Sequence, residues 1–239
     1  MSDSAEHLVK SFDTDLKQLR DMLTEMGGIV ESQLAMAAQA ILNRDADIAM
    51  RAVEEDPKVD ALEREIEQFV IQMLALRQPM AGDLRRVVAA LKITGDLERI
   101  GDYAANVAKR SVVLGQYNLP YSLAGLAHMA TLVQEQLKSI MDALGNSDTA
   151  KAVEVWRSDR VVDDIYNALF RELITYMMED PRNITPCTHL LFIAKNLERV
   201  GDHTTNIAET VYYAVEGEPI PDVRPKGDTS AYAVVRSKE

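Results

Sequence analysis

Apolar residues recur three and four positions apart along most of this chain, which is the period of an amphipathic helix and not of a strand. Ile93, Leu97, Ile100, Ala104 and Val107 project onto one stripe, and Ile193, Leu197, Val200, Thr204, Ile207 and Val211 trace that stripe again. Leu62, Ile66, Phe69 and Met73 form another. The pattern breaks at Asn43 to Asp47, Gln78 to Asp83, Gly115 to Ser122, Gly145 to Asp148 and Asp180 to Pro186, where Gly, Pro, Asn or Asp supply turns and caps. Six helices are predicted. Their short connections make consecutive helices antiparallel neighbours.

The pattern also repeats as a whole. Leu97, Glu98, Arg99, Ile100, Gly101 and Asp102 return as Leu197, Glu198, Arg199, Val200, Gly201 and Asp202, a shift of 100 residues, and Asn106 and Ala108 return as Asn206 and Ala208. Farther upstream the shift is 103: Leu23, Met26, Val30, Gln33, Leu34, Asn43, Asp45, Asp56 and Asp60 answer to Leu126, Met129, Val133, Gln136, Leu137, Asn146, Asp148, Asp159 and Asp163. So long a period is a duplicated domain, not a solenoid unit. The predicted fold is all-α, two tandem antiparallel three-helix bundles related by internal duplication. The first repeat spans residues 1–117 and the second 118–216. Residues 217–239 turn to Gly, Pro and charge and are expected to lack fixed structure.

A chain of 239 residues with 47% apolar content can fill two small cores. Split near residue 118, each half carries a net charge of −6, which argues against nucleic acid and leaves cations and basic protein surfaces as partners. The single cysteine, Cys187, excludes an internal disulfide and a thiolate metal cage. Met1 to Lys10 is polar and acidic, unlike a signal peptide, and no run of eighteen apolar residues occurs, so a cytoplasmic protein is expected.

The duplicated acids are the candidate chemistry. Residues four apart share a helix face, so Glu98 with Asp102 and Glu198 with Asp202 each set two carboxylates side by side. The second helix of each repeat does the same with Asp56 and Asp60, and with Asp159 and Asp163. Counted from the hairpin tips, each second-helix pair stands level with a third-helix pair. Both pairs project away from the apolar stripes, Asp56 and Asp60 on the side of Glu63 and Glu67, so they are expected to line a solvent-facing groove. Four converging carboxylates repel unless cations neutralise them, and hard oxygen ligands suit Mg, Ca, Mn or iron. One multicarboxylate metal site per repeat follows, with Mg, Mn, Fe or Zn as candidate ions. The plainer reading is a solvated acidic face on which Arg99 and Arg199 neutralise their neighbours, each pair worth only a few tenths of a kcal/mol. A ferritin-like di-iron site would need Glu-x-x-His motifs that the chain lacks, and His203 matches Tyr103 in the other copy, so it is not taken as a ligand.

These residues resemble the PhoU family, negative regulators of bacterial phosphate uptake and phosphate-starvation signalling. The likeness runs from His7, Phe12 and Asp13 through Met26, Gly27, Gly28 and Val30 to Tyr212 and Tyr213. It is most specific in the two Leu-Glu-Arg-hydrophobic-Gly-Asp copies, in Arg77, Gln78, Pro79, Asp83, Leu84 and Arg85, and in the run Tyr176 to Asp180. The resemblance implies tandem bundles whose acidic motifs hold multinuclear metal clusters. It also implies a non-catalytic adaptor, often dimeric, between the ATP-binding subunit of a phosphate importer and a membrane sensor histidine kinase, with signalling held off when phosphate is plentiful. Tyr103 and His203 differ between the copies, as do Lys109 and Glu209, so the two sites are expected to differ in affinity.

Other residues carry weaker signals. Glu31 and Glu135 are one residue out of register and are left out of the site. Arg77, Arg85 and Arg86 surround one hairpin turn as a small basic patch suited to phosphate or an acidic partner segment, or as ordinary surface arginines. The eleven methionines read as core filler at helical spacing, Trp156 as a core anchor, and Gly101 and Gly201 as points of close helix approach or room for a ligand. Two rival functions stand beside the adaptor. A carboxylate-site metalloenzyme lacks a general base or His beside the acids, and a metal-free helical scaffold would tolerate loss of Glu98, Asp102, Glu198 and Asp202.

Overall fold

The computed structural model describes residues 2–117, 119 and 122–223, with side chains from Phe12 onward. Among them are six α-helices and no strand: α1 (Ser2–Asn43), α2 (Ala46–Arg77), α3 (Ala81–Leu114), α4 (Ala124–Asn146), α5 (Thr149–Glu179) and α6 (Ile184–Glu216), with one 3-10 turn, Pro181–Asn183, leading into α6. Every interruption expected from the sequence falls between two helices. The duplication is visible in the caps. Asp45 accepts from the amides of Asp47 and Ile48, and its counterpart Asp148 accepts from Lys151, so the same side chain starts the second helix of each repeat.

Within each repeat all three helices touch one another, giving two closed bundles: α1 with α2 and α3, and α4 with α5 and α6. The predicted stripes form the cores. Ile93, Leu97, Ile100, Ala104 and Val107 are at most 1% exposed, as are Ile193, Leu197, Val200, Thr204 and Ile207. Ile66 and Met73 are buried, with Leu62 and Phe69 packed at the edge of the same core. Trp156 is buried as expected, and its indole Nε1 donates to Glu209 Oε1 at 2.9 Å.

How the repeats meet could not be read from periodicity. The third helices of the two repeats, α3 and α6, pack against each other, and α1 also touches α4. Tyr103 and His203, the same position in the two copies, face one another with ring centroids 5.6 Å apart, as expected of a pseudo-twofold axis between α3 and α6. Of the segment expected to lack fixed structure, residues 217–223 follow α6 closely. Ile220 packs on the core and Asp222 pairs with Arg157 at 3.0 Å, while residues 224–239 lie outside the described residues. Among the described residues, no helix is long and apolar enough to cross a membrane.

Candidate metal centres

In the first repeat the packing of α2 on α3 sets Asp56 and Asp60 opposite Glu98 and Asp102. All four are partly exposed, as a groove requires. Burial pushes the Asp56 carboxyl above its ordinary value, and the charges of Asp102 and Asp60 push the same way. The Gln33 amide, donating to Asp56 Oδ1 at 3.3 Å, and Lys109 oppose the shift. Glu98 is likewise raised, first by burial, then by Asp102, with Glu63 and Asp60 adding to it and Arg99 opposing. Glu63 on α2 is raised by burial, Glu67 and Asp60, so it belongs to the same acidic field. Arg99 lies 3.4 Å from both Glu98 and Asp102, and its own side chain is 58% exposed, so the pairing is weak.

The second repeat differs from the expected solvent-facing groove. Asp159, Asp163 and Glu198 are 3%, 5% and 4% exposed, and of the four acids only Asp202 is partly open. One turn earlier on α6, Lys195, which stands where the first copy has Gly95, places its ammonium 2.8 Å from Glu198 and 4.9 Å from the centre of the Tyr166 ring, so its charge compensates Glu198. The two acid clusters stand at matched positions of the repeats and differ in exposure.

One ligand candidate in each repeat escaped the sequence reading. Gln33 on α1 and Gln136 on α4, matched at the 103-residue shift, are 0% and 7% exposed, and the Oε1 of each is buried without a hydrogen-bond partner. Their amide nitrogens are engaged, Gln33 with Asp56 and Gln136 with Ser158 Oγ at 2.8 Å. Both free oxygens point at the motif glycine. A Cβ on Gly101 would stand 3.1 Å from Gln33 Oε1 and 3.3 Å from Val59 Cγ1, and one on Gly201 3.2 Å from Asp159 Oδ1 and 3.5 Å from Gln136 Oε1. The glycines therefore keep open a small space where an amide oxygen and, in the second repeat, a carboxylate already meet. The available signal was a polar residue inside the otherwise apolar stripe Met26, Val30, Leu34. Glu31 instead faces α4, where Asp142 adds to the upward shift caused by its burial.

Carboxylate and amide oxygens suit hard cations, and a buried acceptor without a donor is what such an ion would satisfy. Among the described residues, no three His, Cys, Asp or Glu side chains stand close enough together to enclose an ion as they are arranged. His203 places its Nδ1 2.8 Å from Asp96 Oδ1 across the repeat boundary.

The PhoU domain family matches residues 23–111 and 126–211, each copy running from the first helix of a bundle to the end of the third. The chain is 50% identical over 224 residues to the phosphate-specific transport system accessory protein PhoU homolog of Caulobacter vibrioides (strain NA1000 / CB15N), spanning 93% of this chain and 97% of that one. It is 46% identical over 229 residues to the protein of that name from Rhizobium meliloti (strain 1021), covering 95% and 97%. The crystal structure of PhoU from Pseudomonas aeruginosa superposes with a TM-score of 0.85 at 38% identity, over 87% of this chain and all of that one. The phosphate transport system regulatory protein PhoU from Streptococcus pneumoniae gives 0.82 at 30% identity, over 89% and 100%. A duplicated three-helix unit, a repeated Glu-Arg-hydrophobic-Gly-Asp turn in the third helix of each, and this likeness along nearly the full length make the chain a member of the PhoU family.

Proposed function

We propose that this protein is a non-catalytic, cytoplasmic negative regulator of phosphate uptake and of the phosphate-starvation response. It links the ATP-binding subunit of a phosphate importer to a sensor histidine kinase and holds a cation in each repeat. The observation that carries the regulatory part is the near full-length match to proteins named phosphate-specific transport system accessory protein. The cation part is supported by the twofold recurrence of facing acid pairs over an orphaned amide oxygen: Asp56, Asp60, Glu98, Asp102 and Gln33 in one repeat, Asp159, Asp163, Glu198, Asp202 and Gln136 in the other. Bound there, a hard cation would cancel like-charge repulsion between two helices and so stiffen the surface offered to partners.

The test has two arms. Protein purified without chelator is analysed for bound metal, and the purified cytoplasmic part of the kinase and the importer ATPase are each titrated with it. The reading expects metal at the acid clusters and binding of both partners. Absence of binding to either partner removes the adaptor role.

One observation favours a second reading, a metal-free scaffold. Lys195 on Glu198 and Arg99 on Glu98 and Asp102 already give these acids counter-ions from the chain itself. Under that reading, replacing Glu98, Asp102, Glu198 and Asp202 by Ala leaves phosphate regulation unchanged in cells.

A further inference from the structure

Of the three arginines at the first hairpin, Arg77 is committed to Asp15 at 2.8 Å and Arg86 reaches Asp83 at 3.7 Å. Arg85 has no such partner. Its Nε is buried without a hydrogen-bond partner, and neither Arg85 nor Lys92 forms an ion pair among the described residues, in a chain whose net charge is −12. Both line a cavity of about 340 Å³ between α3 and the end of α6, which Val88, Trp156, Tyr213 and Ile220 also border. The left-handed turn at Gly217 (φ 83°) brings backbone against the Arg85 guanidinium, where a Cβ would stand 3.2 Å from Cζ. Of the two acids on the rim, Asp222 is paired with Arg157 at 3.0 Å, and Glu209 accepts from the Trp156 indole at 2.9 Å in the same wall and keeps its charge.

Beside the cations lies an apolar strip. Leu84, Val88 and Leu91 are 40%, 39% and 38% exposed, and at about 100° per residue they span only about 60° of the α3 surface, with Lys92 and Arg85 along its adjoining edge. Tyr213 of α6, 42% exposed, borders the cavity from the other wall. A small anion would use the cations and leave the leucines in water. An apolar patch edged with unpaired positive charge instead matches a helix with leucine-like residues on one side and carboxylates beside them.

We infer that the groove between α3 and the end of α6 docks an acidic amphipathic helix of a partner protein, its apolar side on Leu84, Val88 and Leu91 and its carboxylates on Arg85 and Lys92. The duplication supplies an internal comparison. Counting back along α6 at the shift that relates Leu97 to Leu197, Thr185 and Phe192 replace the two cations, and the positive charge there comes instead from α3, with Arg110 stacked 4.2 Å above the Phe192 ring, so the two repeats do not present the same arrangement of charge. The groove lies on the solvent face of α3 that continues, two turns on, to Glu98 and Asp102, so a docked helix would end beside the first acid cluster.

This inference rests on the docking role proposed above. A photoreactive phenylalanine analogue placed at Leu91 of the full chain is irradiated with the purified cytoplasmic part of the kinase and, separately, with the importer ATPase, and the attached peptides are mapped. The expected product joins Leu91 to a helical segment rich in Asp, Glu and aliphatic residues of one partner. R85Q/K92Q should weaken that partner's binding at least tenfold and flatten its salt dependence, L84S/L91S should weaken it similarly, and T185E should leave it unchanged, all with wild-type circular dichroism. Unaltered affinity of R85Q/K92Q, or attachment to a basic segment or to a second copy of this chain, overturns the groove assignment and leaves the adaptor role standing. Failure of wild-type protein to bind either partner overturns both.

Discussion

His203 Nδ1 lies 2.8 Å from Asp96 Oδ1, with Asn206 Nδ2 3.4 Å from the same oxygen, so α6 holds α3 through one carboxylate at the boundary between the repeats. In the duplicate the same positions are Tyr103 and Asn196, which makes this link asymmetric within a nearly symmetric interface. The Arg199 guanidinium lies 5.6 Å from the centre of the Tyr103 ring, adding to the same contact.

Removing one partner leaves the other half-buried without its mate. Asp96→Ala is expected to cost about 1–2 kcal/mol of stability, and a double-mutant cycle with His203→Ala should return a coupling of about 1 kcal/mol. Urea unfolding of the four proteins measures both quantities. Strictly additive effects would mean that the pair contributes nothing to joining the repeats.

Without metal, the first acid cluster should make stability depend on pH in a stated direction. Asp56, Glu63 and Glu98 have carboxyls raised above 3.8, 4.5 and 4.5, so the folded state holds protons that the unfolded chain releases. The stability they contribute is present below those ordinary values and is lost as pH rises through the raised ones. Asp142 and Asp180, lowered by Lys151 and Arg182, act in the opposite sense only below 3.8. His189, lowered from 6.5 by burial and Arg110, opposes the trend as pH falls below that value. The difference in melting temperature between Glu98→Gln and wild type, in chelator, isolates Glu98. It should favour the variant at neutral pH and shrink on acidification toward pH 4.5. A gap that widens on acidification would contradict the assignment.

Lys195 is the counter-ion of Glu198 in the second repeat. Lys195→Met should lower metal-free stability by about 1–3 kcal/mol, because Glu198 and its buried neighbours lose a counter-ion. Mn or Mg should then restore the melting temperature of this variant by more than it raises that of wild type. Equal shifts in the two proteins, measured by calorimetry over a range of metal concentrations, would show that Lys195 and the ion do not compete.

Gly201→Ala places a methyl 3.2 Å from Asp159 Oδ1 and 3.5 Å from Gln136 Oε1. Alanine favours the helix by about 1 kcal/mol, which offsets much of the crowding, so stability should change little. Cation binding at the second site should fall at least tenfold, since the carboxylate has to move. Isothermal titration of wild type and variant with Mn decides it, and unchanged affinity would remove the glycine and Asp159 from the site.

Much of the architecture was legible because it is local. A 3.6-residue apolar period, Asp45 and Asp148 as caps, and Gly, Pro and Asn at the breaks each act within a few residues, and all six helices lie where those signals put them. The acid pairs were legible for the same reason: a four-residue spacing is a statement about one helix, and a common height follows from hairpin length. Gln33 and Gln136 were passed over because a lone polar residue in an apolar stripe has no meaning until its neighbours on two other helices are known.

The sequence by itself determined two copies of a three-helix unit and the carboxylates carried on the second and third helices of each, since periodicity and duplication are properties of the chain. Only the tertiary structure decided that α3 and α6 meet face to face, that Asp159, Asp163 and Glu198 are buried with Lys195 on Glu198 while the first acid cluster stays partly open, and that Arg85 ends beside the end of α6 without a counter-charge. Those outcomes depend on which residues distant in the chain share a surface, and burial and charge compensation arise at that contact, not along the chain.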